Sequence, residues 1–469
     1  MRIVPQVAKI TRASLKERTV APMPDPFAWL HADPQIRSLR LAVADLNGLA
    51  RGKRLPVEQA EKVIAEGARM PLSALNVDIW GDDIAGSPLV FASGDADGVL
   101  HPTERGLVPM PWLEAPSALL PMWMTDEAGV PFEGDCRRAL ARVVERYKAR
   151  GWTPVVATEL EFYLVDDDAA RPAPPLSPLT GRRVSAREVL ALGGLDLFER
   201  YFSDLYAACA AMDIPADSAI SESGPGQFEI NLLHGPDALK AADDAWLLKQ
   251  AVRGLARRHE MAATFMAKPY ADYAGNGLHV HFSVIDAAGR NIFDDGTRAG
   301  TPMLGHAVAG CLEALRESTL IFAPHMNSYR RMAPNSHAPT AICWGLENRT
   351  AALRIPGGPA SARRIEHRVA GGDANPYLAV AAVLGAALDG IEREAVAPPP
   401  VKGNAYDGDF DHLPRFWEDA MDLFEAGPAI ARIFDPMLVK NLVACKRQEL
   451  SVFESRWTDF EYATYLDTA

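Results

Sequence analysis

Three short stretches carry acids or histidines at the spacing that one face of a β-strand requires. In Val155-Val156-Ala157-Thr158-Glu159-Leu160-Glu161-Phe162-Tyr163-Leu164, the two glutamates alternate with Val156, Leu160, Phe162 and Leu164. An extended backbone therefore turns both carboxylates to one side and the apolar set to the other. Two buried carboxylates side by side repel each other, and they either take up protons or need a cation. Glu222-Ser223-Gly224-Pro225-Gly226-Gln227-Phe228-Glu229 adds two acids joined by a Gly-Pro-Gly turn that can aim both at one point. Gly275-Asn276-Gly277-Leu278-His279-Val280-His281-Phe282-Ser283 puts His279, His281 and Ser283 on one face. In Arg363-Arg364-Ile365-Glu366-His367-Arg368, the side chains of Arg364, Glu366 and Arg368 share a side, so a carboxylate stands between two guanidinium groups. Each stretch alone has an ordinary alternative, a solvated edge strand or a structural histidine pair. Together they offer five carboxylates and one imidazole from four strands, and two sites for hard divalent cations become the economical reading. Oxygen-rich ligation favours Mg²⁺ or Mn²⁺ over zinc.

The arginines supply the opposite charge. Arg330, Arg331, Arg349, Arg354, Arg364 and Arg368 all fall between positions 330 and 368, and guanidinium groups hold carboxylates and phosphates through paired hydrogen bonds. Two cations facing converging arginines point to phosphoryl transfer, where catalysis is mainly positioning and charge neutralisation. No Gly-x-x-x-x-Gly-Lys-Ser/Thr loop is present, so a P-loop ATPase is excluded.

These motifs need elements to hold them. The chain has 469 residues, 48% hydrophobic and 23% charged, a composition that supports two or three domains with real cores. A net charge of -13 argues against wholesale nucleic-acid binding and gives no polybasic membrane anchor. Cys136, Cys209, Cys311, Cys343 and Cys445 are scattered without a C-x-x-C pair, which argues against a disulfide framework or zinc ribbon and fits the cytoplasm. No apolar run is long enough to span a membrane, and the first residues lack a secretory core segment.

The proline-punctuated residues 1–35 read as an N-terminal arm, and 36–125 as a small sheet-rich domain opening with a strand from Leu39 that ends at the Asn47-Gly48 turn. Residues 126–469 read as an α+β catalytic domain. Its first helix, Cys136 to Arg150, takes Asp135 as N-cap and stops at Gly151. Its last two run from about Leu413 to Ala426 and from Pro436 to Ser455, beyond a stiff connection from Ala395 to Gly403.

The chain resembles the glutamine synthetase family after residue 35. The matching pieces are Glu159-Leu160-Glu161-Phe162, Glu222 with Pro225-Gly226-Gln227 and Glu229, Gly277-Leu278-His279-Val280-His281, Asn327-Ser328-Tyr329-Arg330-Arg331, Asn348-Arg349, Arg354-Ile355-Pro356, Arg364-Ile365-Glu366-His367-Arg368 and Asn375-Pro376-Tyr377-Leu378. The resemblance implies a β-grasp N-terminal domain, a catalytic domain whose curved antiparallel sheet is flanked by helices, and a homo-oligomer built as one ring of six or two stacked rings, with active sites shared between neighbours. It assigns Glu161, Glu222 and Glu229 to a first metal and Glu159, His279 and Glu366 to a second. His281, Ser283, Arg354 and Arg364 would lie along ATP, Arg331 and Arg368 would hold the α-carboxylate of L-glutamate beside Gly275, Asn276 and Gly277, and Arg349 would steady the transferred phosphoryl group. The implied reaction is attack of the glutamate γ-carboxylate on ATP, then displacement of phosphate by an amine.

Departures from the family pattern bear on which amine. Ammonia-using members carry a glutamate on the flap after the Asn-Ser-Tyr motif, whereas this chain has His337. An imidazole lacks the anionic grip that ammonium needs but can serve as base toward an alkylamine. Ala274 replaces an asparagine common on the glutamate loop, and Asp411 stands where some bacterial members carry a regulatory tyrosine. Asp78 matches the aspartate lent across the subunit interface, and neighbouring Trp80 reads first as a buried core residue and second as part of an amine pocket. The expectation is a γ-glutamylpolyamine or γ-glutamylmonoamine synthetase. The alternatives are an ammonia-dependent glutamine synthetase and a noncatalytic ring-forming relative.

Overall fold

A computed structural model describes Leu30 and residues 35–167, 171–185, 187, 189–333, 336 and 338–469. The expected arm falls outside these residues apart from Leu30 and Gln35. Two sheets organise the rest into a mixed α+β fold. The first contains β1 (Ser38–Ala44), β2 (Ala50–Pro56), β3 (Ala68–Pro71), β4 (Asp97–Pro102), β5 (Val108–Pro109) and β6 (Ser117–Thr125), in the order β2-β1-β6-β4-β3 with β5 beside β6. β1 pairs antiparallel with β2 and parallel with β6, so the sheet is mixed.

The second sheet contains β7 (Thr153–Val165), β8 (Ala216–Ser221), β9 (Gln227–Leu232), β10 (Ala262–Thr264), β11 (Leu278–Ile285), β12 (Trp344–Leu346), β13 (Leu353–Ile355) and β14 (Ile365–His367). Its order is β12-β13-β14-β11-β7-β9-β8, with β10 beside β7. Every pairing in it is antiparallel except β12 with β13. The sheet is thus antiparallel apart from that edge pair, in line with the fold expected.

Helices pack behind the second sheet. The helix Pro376–Glu392 is buried from Pro376 to Ile391, as a helix that is apolar all round must be. Pro376 at its first position needs no hydrogen-bond partner, and the Asn375 side chain caps it by accepting from the Tyr377 amide at 3.0 Å. The same side chain donates to the carbonyl of Asp45 at 3.0 Å, which ties the turn after β1 to the start of the helix Pro376–Glu392. Gly48 in that turn has φ 74 and lies so close to Asn375 that an added Cβ would come within 3.4 Å of its backbone.

The helix Cys136–Lys148 begins as expected. Asp135 accepts from the amides of Arg137 and Arg138, although the helix gives way before Gly151. Among the helices not placed from the sequence are Glu199–Ala211, Ala238–Arg258, Pro302–Ala314, Pro428–Ile433 and Asp459–Tyr465. All five cysteines are buried free thiols, and no described helix is long and apolar enough to cross a membrane.

Candidate active site

Ladder register converts the alternating motifs into one surface. Arg354 on β13 stands opposite Glu366 on β14, and Glu366 stands opposite His281 on β11. One row along, His279 faces Glu159 on β7, which faces Asn231 on β9. In the next row Glu161 faces Glu229. Because side chains alternate strictly along each strand, these rows share a face. Val156, Leu160, Phe162 and Leu164 turn into the core, while Glu159 and Glu161 are only half-buried.

Three sets of potential ligand atoms gather there, each set within 4.8 Å: Glu161 with Glu222 and Glu229, Glu159 with Glu229 and His279, and Glu159 with His281 and Glu366. The first set is the triplet expected from sequence. The second expected triplet, Glu159 with His279 and Glu366, is divided, because Glu159 reaches both histidines. His279 donates from Nδ1 to Glu159 Oε2 at 2.9 Å. His281 Nε2 stands 2.9 Å from Glu159 Oε1, close enough for an ion pair but off the line of a hydrogen bond. Arg364 donates from Nε to His281 Nδ1 at 3.3 Å.

The flanking of Glu366 by two guanidinium groups holds with one change of partner. Arg368 donates to Oε1 and Arg354 to Oε2, the latter at 2.6 Å. Arg364, placed beside Glu366 by strand alternation, is taken up by His281 instead. The short strand β14 ends before Arg368 and begins after Arg364, so alternation does not govern either residue.

Electrostatics divide the cluster. Burial alone would push Glu159 up, but its contacts with His279 and His281 hold it well below the ordinary carboxylate range. Burial likewise opposes the charge on Glu366, and Arg368 with the two histidines brings it down to about 2. Glu222 is pushed up to about 7 by burial and by Glu161. Burial and the charges of Glu159, Glu161 and Glu222 push Glu229 up to about 9. Among the described residues no lysine, arginine or histidine forms an ion pair with Glu161, Glu222 or Glu229. Arg349 is exposed at the rim, where its charge bears on Glu222.

The loop of residues 275–277 packs against Arg331. This buried arginine donates to the carbonyl of Val369 at 2.7 Å. An added Cβ on Gly277 would lie 2.9 Å from Arg331 Nη2, and one on Gly275 would lie 2.8 Å from Arg331 Cγ. The Gly277 amide donates to Glu161 Oε2 at 2.6 Å, joining loop to acid cluster. The Asn276 side chain is engaged elsewhere, donating to the carbonyls of Met266 and Thr264 and accepting from Gln227. Ser283 is half-buried two residues beyond His281.

Some expectations place less well. His337 lies outside the described residues. Asp78 is buried, but it is absent from the acid cluster: Oδ1 accepts from the amides of Trp80 and Asp82, and Oδ2 accepts from Gln448 at 2.7 Å. Trp80 is not a core residue, for it is 50% exposed and only leans on Phe453 at 5.9 Å between ring centroids. Its short loop of close-set hydrogen bonds has no depth in which to bury an indole.

Other contributors had no role assigned from sequence. Gln227 donates to the Gly275 carbonyl at 3.0 Å and accepts from the Gly224 amide, joining two site loops. Its place inside the Pro225-Gly226-Gln227 motif was the available signal. Tyr163 supports the same loop by donating to the Ala274 carbonyl at 2.8 Å. Tyr406, whose position has no motif to mark it, donates to the Ala338 carbonyl at 2.8 Å. Past the ends of β12 and β13 lies a cavity of about 320 Å³ lined by Thr297, Arg298, Glu347, Ile355 and Arg363 among others.

Comparison with known proteins supplies the family. Residues 133–465 match the glutamine synthetase catalytic domain. The chain is 36% identical to the γ-glutamylputrescine synthetase PuuA of Escherichia coli over 467 residues, 99% of each chain. It is 35% identical to a γ-glutamylethanolamide synthetase of Streptomyces coelicolor, covering 92% of this chain and 93% of that one. It is 31% identical to a glutamate–isopropylamine ligase of a Pseudomonas species, covering 92% and 95%. A solved GmaS–ADP complex superposes with a TM-score of 0.83 at 29% identity, covering 95% of this chain and 100% of the other. The chain belongs to the glutamine synthetase family, within its γ-glutamylamine synthetase branch.

Proposed function

We propose that the protein is an ATP-dependent ligase that joins the γ-carboxyl group of L-glutamate to an organic amine, a mono- or polyamine, through γ-glutamyl phosphate. The observation that carries this reading is the convergence of Glu159, Glu161, Glu222, Glu229, His279, His281 and Glu366 on one sheet face bordered by arginines. The donor set fits a hard divalent ion, Mg²⁺ or Mn²⁺, because its carboxylates crowd within 4.8 Å and, among the described residues, no cationic side chain forms an ion pair with Glu222 or Glu229. We assign Glu161, Glu222 and Glu229 to one ion, and Glu159, His279 and Glu366 to a second. When bound, such ions neutralise phosphate and carboxylate oxygens that would otherwise repel one another.

The chain's own groups do the positioning. Arg354 and Arg364 stand on the Glu366 side with His281 and Ser283, where a triphosphate needs donors. Arg331 and Arg368 hold the α-carboxylate of glutamate, and the Gly275, Asn276 and Gly277 backbone closes against it. In the first step a γ-carboxylate oxygen attacks the γ-phosphorus of ATP and ADP leaves. In the second the amine nitrogen attacks the acyl carbon, phosphate departs, and the nitrogen gives up a proton. Arg349 faces the charge on the transferred phosphoryl group, and His337 is the base that takes the proton.

Asp78 is held within its own chain, so a role at the amine site belongs to a neighbouring subunit's centre in a homo-oligomer, a hexameric ring or a dodecamer of two rings. The enzyme acts in the cytoplasm. Phosphate release from ATP with glutamate and a panel of ammonium, monoamines and diamines tests the activity. Preference for an organic amine is expected. Preference for ammonium makes the protein a glutamine synthetase, and no glutamate-dependent turnover makes it a noncatalytic relative. Native mass spectrometry reads the subunit number.

A further inference from the structure

Two segments that build the proposed glutamate site are joined by one turn, Gly371-Gly372-Asp373-Ala374. Gly371 forms a β-bridge with Gly277, and the Gly372 amide donates to the Asn276 carbonyl at 2.8 Å, so the turn is stitched to the loop of residues 275–277. From the other side of the turn Asp373 reaches the helix Ser328–Arg331, where its Oδ2 accepts from Ser328 Oγ at 2.6 Å. Ser328 Oγ accepts in turn from the His325 amide at 3.0 Å. The turn itself is anchored by buried Lys249, which donates to the Ala374 carbonyl at 3.0 Å. Asp373 carries the only polar side chain of the turn, and it joins loop to helix.

Hydrogen bonding alone does not select a carboxylate here. An asparagine could accept from Ser328 equally well. Asp373 Oδ1 is moreover buried without a hydrogen-bond partner among the described residues, and it lies against Gly371, where an added Cβ would come within 2.4 Å of it. A bare buried carboxylate oxygen is costly unless a charge offsets it. Arg331 supplies that charge: burial pulls its guanidinium down, and the charges of Glu161 and Asp373 oppose the pull.

We propose that Asp373 is a positioning residue for glutamate binding, one that fixes the helix Ser328–Arg331 against the turn and the loop so that Arg331 is aimed at the substrate's α-carboxylate before it arrives. This rests on the ligase reading above, in which Arg331 holds that carboxylate. Asp373 acts through its neighbours rather than on the substrate. The Ser328 bond sets where the helix sits, and the carboxylate charge keeps the guanidinium from turning away.

Two substitutions separate these contributions. Asp373→Asn keeps the side-chain shape and an acceptor for Ser328 while removing the charge, and Ser328→Ala removes the bond while leaving the charge. In glutamate-dependent phosphate release with the amine that the wild type prefers, Asp373→Asn is expected to raise KM for glutamate about tenfold, with KM for ATP and kcat within about twofold. Ser328→Ala is expected to raise KM for glutamate about threefold. Calorimetric titration of L-glutamate should show the same weakening as KM. A fall in Tm and kcat with KM for glutamate unchanged, the mark of a purely structural role, overturns the proposal. So does an equal rise in KM for glutamate and for ATP. A wild type that turns over no ATP with glutamate and any amine overturns the ligase reading and this inference with it, whereas a working wild type whose glutamate KM ignores Asp373→Asn overturns this inference alone.

Discussion

Two buried charge clusters in this protein follow opposite rules. On the helix Pro436–Glu454, Lys446 and Glu449 are fully buried and pair at 3.0 Å. Lys446 also donates to Asn47, and Glu449 accepts from the Ile79 amide at 2.9 Å with His325 nearby. Burial opposes the charge on Glu449, yet Lys446 and His325 bring it down to about 2. In the acid cluster, Glu222 and Glu229 are instead driven up to about 7 and about 9. A structural charge arrives with its counter-charge in the same chain. The acid cluster lacks one, and it is complete only when a cation comes from solution.

Substitution can break that contrast from either side. Glu229→Gln should leave the fold intact while lowering glutamate-dependent phosphate release by more than about 100-fold, since even outer partners of metal ligands are worth 10–100-fold. Steady-state assay with circular dichroism as control checks it. Lys446→Met should behave in reverse, destabilising the protein by about 3–5 kcal/mol because Glu449 is left buried and unpaired. Urea unfolding measures this, and replacing both residues with apolar ones should recover much of the loss.

Proton linkage sharpens the comparison. Glu222 and Glu229 have folded-state values raised above 4.5, so their contribution to metal-free stability is fully present below about 4.5 and is lost as pH rises through about 7 and 9. Glu449 is lowered, so its contribution is present above about 4.5 and is lost only toward about 2. Between pH 6 and 9 Glu449 is therefore silent. The gap in Tm between protein in Mg²⁺ and protein in EDTA should widen across that window, and a constant gap would mean that the acids are already ionised without metal. The smallest effect expected is that of Gly277→Ala. Its Cβ would crowd Arg331 Nη2 at 2.9 Å, raising KM for glutamate about tenfold while leaving KM for ATP unchanged.

The parts of the site written as strict alternation were legible in the sequence. Glu159 and Glu161 on β7, and His279 and His281 on β11, follow from a period of two that no tertiary contact alters. The Asp135 cap was legible for the same reason, being local. Pairings set by ladder register were not. Nothing in Arg363 to Arg368 reveals that β13 brings Arg354 opposite Glu366 and leaves Arg364 to His281. The division of Glu159 between two histidines is hidden likewise, because it depends on how three strands align. Trp80 misled because indole size favours burial on average, whereas its loop is pinned at the surface by Asp78 and Gln448.

The hydrogen bonds from Asn375 to Asp45 and from Lys446 to Asn47 cross from one sheet's territory into the other. A gene fragment cut at residue 133, where the recognisable catalytic segment begins, would strip those partners away, leaving the Asn375 amide without its Asp45 acceptor and Lys446 with Glu449 but without Asn47. Such a fragment should accumulate as insoluble aggregate on expression. Separate production of the two halves, followed by mixing, is for that reason a poor route to the intact enzyme.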